Sequence, residues 1–487
     1  MRIAYVAAGA AGMYCGSCLH DNTLAAALQA AGHEVALLPT YTPLRTDEPD
    51  VSLGRVFYGA VNVYLQQKSA LFRHTPGFVD RLLDRPALLG QVGRLAGATD
   101  AHELGALTLS VLRGEHGRQA KELAKLVAWL GEFRPELVHL ANALFLGMAA
   151  PIRRALGVPV VCGLTGEDLF LDGLEEPWHG EVLAELRRRA ADADGFVAPG
   201  VDYARRMADV LGVASERMHV VPLGIRLDDF ATGAAAERPG AGSGPRGERA
   251  AAGSRSGSAP AAAGAVAPPV SSAQPTSTMA PASRWSDGGP APFTVGYLAR
   301  QCPEKGLALL VEAFRLLADG WPTDRTPPRL AVAGWIGARD RPWVEGLRGE
   351  LAATGLAGQA EMGGEVDRAG KLAFLARLDV LSVPAVYRES KGLYVLEALA
   401  AGVPVVEPRH GAFPELIQAT GGGLLVDPGS PAALAAGLRR LADDPALAVE
   451  LGRRGRAAVA GRYGAEAMAE ATLAVYRRLI DTKTVPH

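Results

Sequence analysis

A strand–loop–helix–strand pattern opens this chain and starts again beyond its midpoint. The apolar run Arg2–Ala7 predicts a strand, and the glycine-rich stretch Gly9-Ala10-Ala11-Gly12 predicts a loop behind it. A helix is expected from about Asn22, a residue suited to an N-cap, to Gly32, and Glu34–Pro39 reads as the next strand. The pattern restarts at Phe293-Thr294-Val295, passes through a loop to an amphipathic helix Leu307–Ala318, and returns to a strand at Arg329–Gly334. Consecutive strands joined through a helix lie parallel, with helices covering the faces of the sheet. The restart therefore implies an α/β protein of two Rossmann-like domains whose parallel sheets face a central cleft. Ligands of such folds bind beyond the carboxyl ends of the strands, so the strand-to-helix loops are where chemistry is to be sought.

A chain of 487 residues is too long for one core, which agrees with that division. The first domain is expected over 1–230, ending after the turn Pro222-Leu223-Gly224-Ile225, and the second over 293–464. Between them, 231–292 is dominated by Ala, Gly, Ser and Pro. So few large apolar residues cannot offset the entropy of ordering, and a disordered linker or insert is expected. A net charge of −2 gives no electrostatic case for nucleic-acid binding. The clusters Arg187-Arg188-Arg189 and Arg453-Arg454 read as solvated helix faces. Four cysteines in so long a chain do not make a disulfide framework. Cys15-Gly16-Ser17-Cys18 has the spacing of a redox motif and lies at a helix start after a strand, but is read as loop structure beside a ligand. The apolar stretch Leu140–Leu164 is interrupted by Pro151, Arg153, Arg154 and Pro159, so it does not read as a membrane span. Arg2 ahead of an apolar run mimics a secretion signal, yet Ile3–Ala7 is better read as the first strand. A cytoplasmic chain is expected, with docking to a lipid acceptor at a membrane surface left open.

The most informative stretch is Glu389-Ser390-Lys391-Gly392-Leu393-Tyr394-Val395-Leu396-Glu397. It follows the strand-like run Val380–Pro384 and leads into a helix, so Gly392 lies where a loop meets a helix N-terminus. Free N–H groups and the positive end of the helix dipole favour a phosphate there. Carboxylates on either side suit a ligand carrying hydroxyls as well as phosphate. Acidic residues near a helix start are also stabilising in themselves, so capping by Glu389 and a solvated face for Glu397 are the competing expectations. Arg300 and Lys305 occupy one strand-to-helix loop, where two cations could clamp a diphosphate. Arg409–Glu415 closes the segment behind the glutamates.

With Arg-x4-Lys-Gly and Glu-x7-Glu in this order, the chain resembles the retaining GT-B-fold glycosyltransferases of family 4 (glycosyl transferase group 1). The resemblance implies transfer of a sugar from a nucleotide-diphosphate sugar with retention of configuration, without metal or cofactor. It assigns Glu389, Arg300 and Lys305 to catalysis, with Glu389 on the sugar hydroxyls and the two cations on the leaving diphosphate. It assigns Glu397 to the ribose, and Gly392, Leu393, Lys391 and Gly12 to the donor. It also implies that the closing helix within 465–487 packs back on the N-terminal domain. Family members often carry a histidine beside the donor sugar in a loop of the N-terminal domain; here Val160–Asp168 puts Thr165 at that position. Thr165, Glu167 and Asp168 are the sugar-contact candidates on that side, while His139 reads as a buried strand residue. Asp192-Ala193-Asp194 has metal-site spacing but no further ligands beside it in sequence. Region Thr42–Leu130 carries no sharp motif and is where acceptor choice is expected.

Other classes remain. A nucleotide-sugar-binding protein that has lost catalysis is motivated by Thr165. A pyridoxal-phosphate phosphorylase of similar fold lacks a lysine that stands out as a Schiff-base site, and a sugar-nucleotide epimerase could use a similar cleft.

Overall fold

A computed structural model describes residues 1–9, 15–73, 101–232 and 291–484. Gly12 and nearly all of the expected 231–292 insert lie outside these residues. Two six-stranded sheets are formed, and every strand pair in them is parallel. The first holds β1 (Arg2–Ala8), β2 (Glu34–Thr40), β3 (Leu137–Leu140), β4 (Val160–Gly163), β5 (Gly195–Ala198) and β6 (Met218–Val220), in the order β2-β1-β3-β4-β5-β6. The second holds β7 (Thr294–Leu298), β8 (Arg329–Ala333), β9 (Ala360–Met362), β10 (Val380–Leu381), β11 (Val405–Pro408) and β12 (Gly423–Val426), in the order β12-β11-β10-β7-β8-β9. The central strands are buried along their length, as a parallel sheet covered on both faces requires.

The strand order reverses between β1 and β3 in the first sheet and between β7 and β10 in the second. At such a point neighbouring crossovers leave in opposite directions and open a crevice at the strand ends. The loop from β7 to helix Leu307–Asp319 carries Arg300 and Lys305, and the loop after β10 carries Glu389. The loop after β1 leads into helix Gly16–Ala30. The two crevices meet: Lys391 Nζ lies 2.6 Å from Ser17 Oγ.

Several boundaries differ from expectation for physical reasons. Helix Gly16–Ala30 starts six residues before Asn22, with extended Cys15 as its N-cap. Asn22 is buried mid-helix, where its amide donates to Pro49 O at 2.9 Å and accepts from Val51 N at 3.0 Å. An asparagine that resembled a cap is a tertiary tie. Gly296–Leu298, read as loop, extends β7, and β10 is only Val380–Leu381. Arg189 is buried on a face expected to be solvated, paired with Glu185 at 2.9 Å.

The core forms clusters within each domain and one that spans distant sequence. Helix Ala465–Thr484 lays Met468, Leu473, Tyr476 and Leu479 against β1 and helix Gly16–Ala30. The chain crosses between domains at Ile225 and returns at Tyr463–Ala465. There Ile225 N–H donates to Tyr463 O at 2.9 Å and Ala465 N–H to Ile225 O at 3.0 Å. No helix among the described residues is long and apolar enough to cross a membrane.

Candidate active site

Glu389 is 4% exposed and sits where the second sheet reverses. One carboxylate oxygen receives the Lys305 ammonium, the Tyr387 hydroxyl at 2.9 Å and the Tyr394 hydroxyl at 3.0 Å. The other oxygen accepts the Lys391 N–H at 3.3 Å. Lys305 also lies over both tyrosine rings, 5.1 Å and 5.3 Å from their centroids. Burial alone would raise the Glu389 carboxyl, but the Lys305 charge and the donors around it outweigh burial and hold it down at about 2. A carboxylate stripped of water and still ionised is a strong, oriented acceptor for hydroxyls.

Backbone shape fixes this group. Gly306 has φ 73, and a Cβ there would stand 1.9 Å from the Pro384 carbonyl oxygen, so the lysine loop packs directly on the chain leaving β10. Gly411, with φ 57, leaves room for the Glu389 backbone, whose carbonyl accepts from Ala412 N at 2.8 Å; a Cβ at Gly411 would approach Glu389 O to 2.5 Å. Gly392 is the N-cap residue of helix Leu393–Ala400, and that cap has no side-chain hydrogen bond. The hydrogen bonds of Glu389 run to Lys305, to two tyrosine hydroxyls and to the Lys391 N–H ahead of the helix, not to the N–H groups of its first turn.

Glu397 lies one turn further on, 5% exposed rather than solvated. It accepts from Lys371 Nζ at 2.6 Å, and the same ammonium lies 2.6 Å from Asp47 of the first domain. Burial would lower the Lys371 pKa, but the two carboxylates overcome it and raise it, so a buried ammonium ties the domains. Arg300 is held within its own loop, with Nε 3.1 Å from Cys302 Sγ and the guanidinium 3.7 Å from Glu304. The structure places Arg300 and Lys305 on one loop, each already engaged by an acid or a thiol.

Across the cleft, the loop after β4 meets the glutamate loop. Gly166 is so near that a Cβ there would stand 2.8 Å from Ser390 Oγ. Thr165 thus borders the site, with its N–H donating to Glu167 at 2.7 Å. Glu167 and Asp168 turn inward. Glu167 also accepts from Ala143 N at 2.9 Å, and Asp168 pairs with Arg206 at 3.0 Å and Tyr203 OH at 3.0 Å. Burial raises both carboxyls. Leu393 heads its helix 3.5 Å from where a Gly16 Cβ would stand. His139 is buried on β3, stacked on Tyr5 with centroids 4.3 Å apart and hydrogen-bonded to Tyr476 OH at 2.6 Å. Asp192 and Asp194 pair with Arg189 and Arg153, and no group of three or more His, Cys, Asp or Glu that could hold a metal occurs among the described residues.

Sequence reasoning missed Lys371, Tyr387, Tyr394 and Glu407. Two tyrosines flank Glu389 in sequence, a signal that was available. Lys371 carries no such mark, because its role exists only where Asp47 and Glu397 converge. Glu407 is fully buried on β11, where it accepts the Val383 N–H at 3.1 Å; burial pushes its carboxyl well up, and the Glu389 charge adds to that.

The chain is similar to known proteins in sequence and in fold. A model described as glycosyl transferases group 1 matches residues 286–458, and a glycosyl transferase 4-like domain model matches residues 22–224. D-inositol 3-phosphate glycosyltransferase of Kineococcus radiotolerans is 33% identical over 195 residues, 38% of this chain and 44% of that protein. 2-Deoxystreptamine glucosyltransferase of Streptomyces kanamyceticus is 32% identical over 194 residues, 40% of this chain and 47% of that protein. The chain thus matches less than half the length of these relatives. Among solved structures, sucrose-phosphate synthase from Thermosynechococcus elongatus superposes with a TM-score of 0.62 at 18% identity, covering 99% of this chain and 100% of that one. HepE from Anabaena in complex with UDP gives a TM-score of 0.59 at 15% identity, covering 98% and 100%. These likenesses show the fold. With the two family matches together covering more than half of its length, this chain belongs to the glycosyl transferases of group 1, built on the GT-B fold of two facing parallel-sheet domains.

Proposed function

We propose that this protein moves a sugar from a nucleotide-diphosphate sugar to an acceptor, with retention of configuration and without a metal. The observation that carries the reading is Glu389: buried, ionised, fixed by Lys305 and two tyrosine hydroxyls, and set at the crevice where the second sheet reverses. On this reading residues 293–464 bind the donor, 1–230 form the acceptor side, and the last helix joins the two.

Glu389 orients the donor sugar through its hydroxyls. Lys305 and Arg300, with N–H groups around Gly392, take up the charge that grows on the departing diphosphate. As the phosphate departs, Lys305 shifts its interaction from Glu389 toward the new negative charge. Glu397 holds the ribose, already oriented by Lys371. Lys391 and Leu393 border the donor, as does Gly12 by the family resemblance. Thr165 faces the sugar from the opposite wall, while Glu167 and Asp168 act by shaping its loop. The leaving phosphate accepts the proton of the attacking hydroxyl, so no protein base is required. The protein works in the cytoplasm, and its acceptor is a sugar, lipid or small molecule.

Thermal-shift measurements with UDP-, GDP- and ADP-sugars, then product analysis by NMR, test this. UDP-sugars come first because the Anabaena protein was solved with UDP and with UDP-glucose. The expected result is a preferred donor, a product of unchanged anomeric configuration, and turnover that survives EDTA. An inverted product or loss of turnover in EDTA overturns the mechanism. A second reading, binding without transfer, rests on Thr165 standing where family members often have histidine; it would be favoured by tight donor binding with neither transfer nor hydrolysis.

A further inference from the structure

Helix Gly16–Ala30 begins with two cysteines that the transfer reaction leaves unused. Cys15 is the extended N-cap residue and is partly exposed, whereas Cys18 is 1% exposed in the first turn. Residues three apart share a helix face, so the two side chains lie on the same side of this helix start. Cys18 Sγ also donates to Ala8 O at 3.2 Å. Ser17 and Cys18 are first-turn residues, so their backbone N–H groups have no intrahelical partner. Lys391 stands close by, its Nζ bonded to Ser17 Oγ at 2.6 Å. A thiol, free N–H groups, an ammonium and a second thiol in reach therefore converge at one helix start.

We propose that Cys15 and Cys18 are a redox-active dithiol on the cleft wall, a modification site that reacts with low-molecular-weight disulfides and closes to an intramolecular disulfide. Cys15 is the attacking sulfur and Cys18 the resolving one. The asymmetry is built in. The neighbouring Cys18 lowers the Cys15 thiol most; burial opposes this, and Lys391 with the first-turn backbone adds to the lowering. Its partner's thiol is pushed up, first by Cys15 beside it and then by burial. By contrast, Cys162 and Cys302 are buried away from this helix start, and burial raises both thiols.

The chemistry balances. The Cys15 thiolate attacks one sulfur of R–S–S–R, breaking that bond and expelling RS⁻. Cys18 then gives up its proton, attacks the Cys15 sulfur of the mixed disulfide and expels the second RS⁻. The protein loses two electrons and two protons; the small disulfide gains them and leaves as two thiols. The site also touches the glutamate loop, through Lys391 and through Leu393 beside Gly16.

The test uses the reduced full-length protein and hydroxyethyl disulfide, with acid quenching, intact mass and peptide mapping. Wild type is expected to lose the mass of two hydrogens and to give a Cys15–Cys18 cross-linked peptide. Cys18→Ser is expected to stop at a stable adduct on Cys15, and Cys15→Ser to form none. At pH 6, Cys15 of the folded protein should be alkylated about tenfold faster or more than in the denaturant-unfolded protein, because an ordinary thiol ionises only near pH ~8.5. A persistent adduct on wild type, a bond to Cys162 or Cys302, or reaction only after unfolding overturns the proposal. The wild-type measurements stand alone if a serine variant fails to fold.

Discussion

Glu389 is pulled in two directions, by burial toward neutrality and by Lys305 toward ionisation, and the lysine wins. Its folded pKa is depressed from 4.5 to about 2, so its contribution to stability is present above pH 4.5 and lost as pH falls toward 2. The difference in melting temperature between wild type and Glu389→Gln should therefore be constant at neutral pH and shrink below pH 4.5. Glu389→Gln should lower kcat by about 100-fold, the loss of a charge-assisted hydrogen bond of roughly 2–3 kcal/mol. Loss of folded protein, with the remaining folded fraction still active, would instead mark a structural role. Lys305→Ala leaves the carboxylate buried with only neutral donors, and about 3 kcal/mol of stability should be lost in denaturant titrations, together with donor affinity. Unchanged donor affinity would remove the diphosphate assignment. His139 supplies a separate acid sensitivity. Burial depresses it from 6.5 to about 3, so it stays neutral while the unfolded chain takes up a proton. Stability should fall as pH drops from 6.5 toward 3, and His139→Gln should flatten that slope in pH-dependent melting curves.

At the scale of elements, helix starts decide how the cleft is built. Helix Val201–Leu211 has Gly200 at its N-cap and no cap from its own side chain. Glu415 of the other domain does that work, accepting from Val201 N at 2.8 Å and from Asp202 N. Arg388 pairs with Asp202 beside it. An acid on one domain thus completes a helix on the other, and both the free N–H groups and the helix dipole favour it. Glu415→Ala should cost about 1 kcal/mol, the usual worth of a cap. Because this cap spans the cleft, the variant should also expand in small-angle scattering. An unchanged scattering profile would show that other ties, such as Lys371 to Asp47, suffice to hold the domains. Arg409–Glu415 was legible only as a segment behind the glutamates. Its capping role was not, because the helix it completes lies more than two hundred positions away in sequence.

For the whole molecule, the last helix is decisive. Met468, Leu473, Tyr476 and Leu479 are buried against the first domain, and burying each such side chain is worth about 1.5–3 kcal/mol. Their sum is comparable to the net stability of a typical domain, about 5–15 kcal/mol. Truncation after Gly464 should therefore leave the first domain unfolded or aggregated, as read by near-ultraviolet circular dichroism. A soluble, cooperatively melting product would show that the helix is dispensable. The parallel sheets and their restart were legible because the apolar period repeats locally. The element ends were less so: Asn22 looked like a cap, whereas the helix starts at Gly16 behind Cys15.

The sequence by itself determined the two-sheet α/β architecture, the loops that carry Glu389, Arg300 and Lys305 and the helix that carries Glu397, because strand and helix periodicity and glycine placement act over a few residues. Only the tertiary structure decided what those groups do to one another. Lys305 neutralises Glu389, Lys371 joins Glu397 to Asp47, and Glu415 caps a helix across the cleft. Each partnership joins segments distant in the chain, and a charge removed from water is set by the neighbours that fill the low-dielectric space around it, which no local pattern encodes.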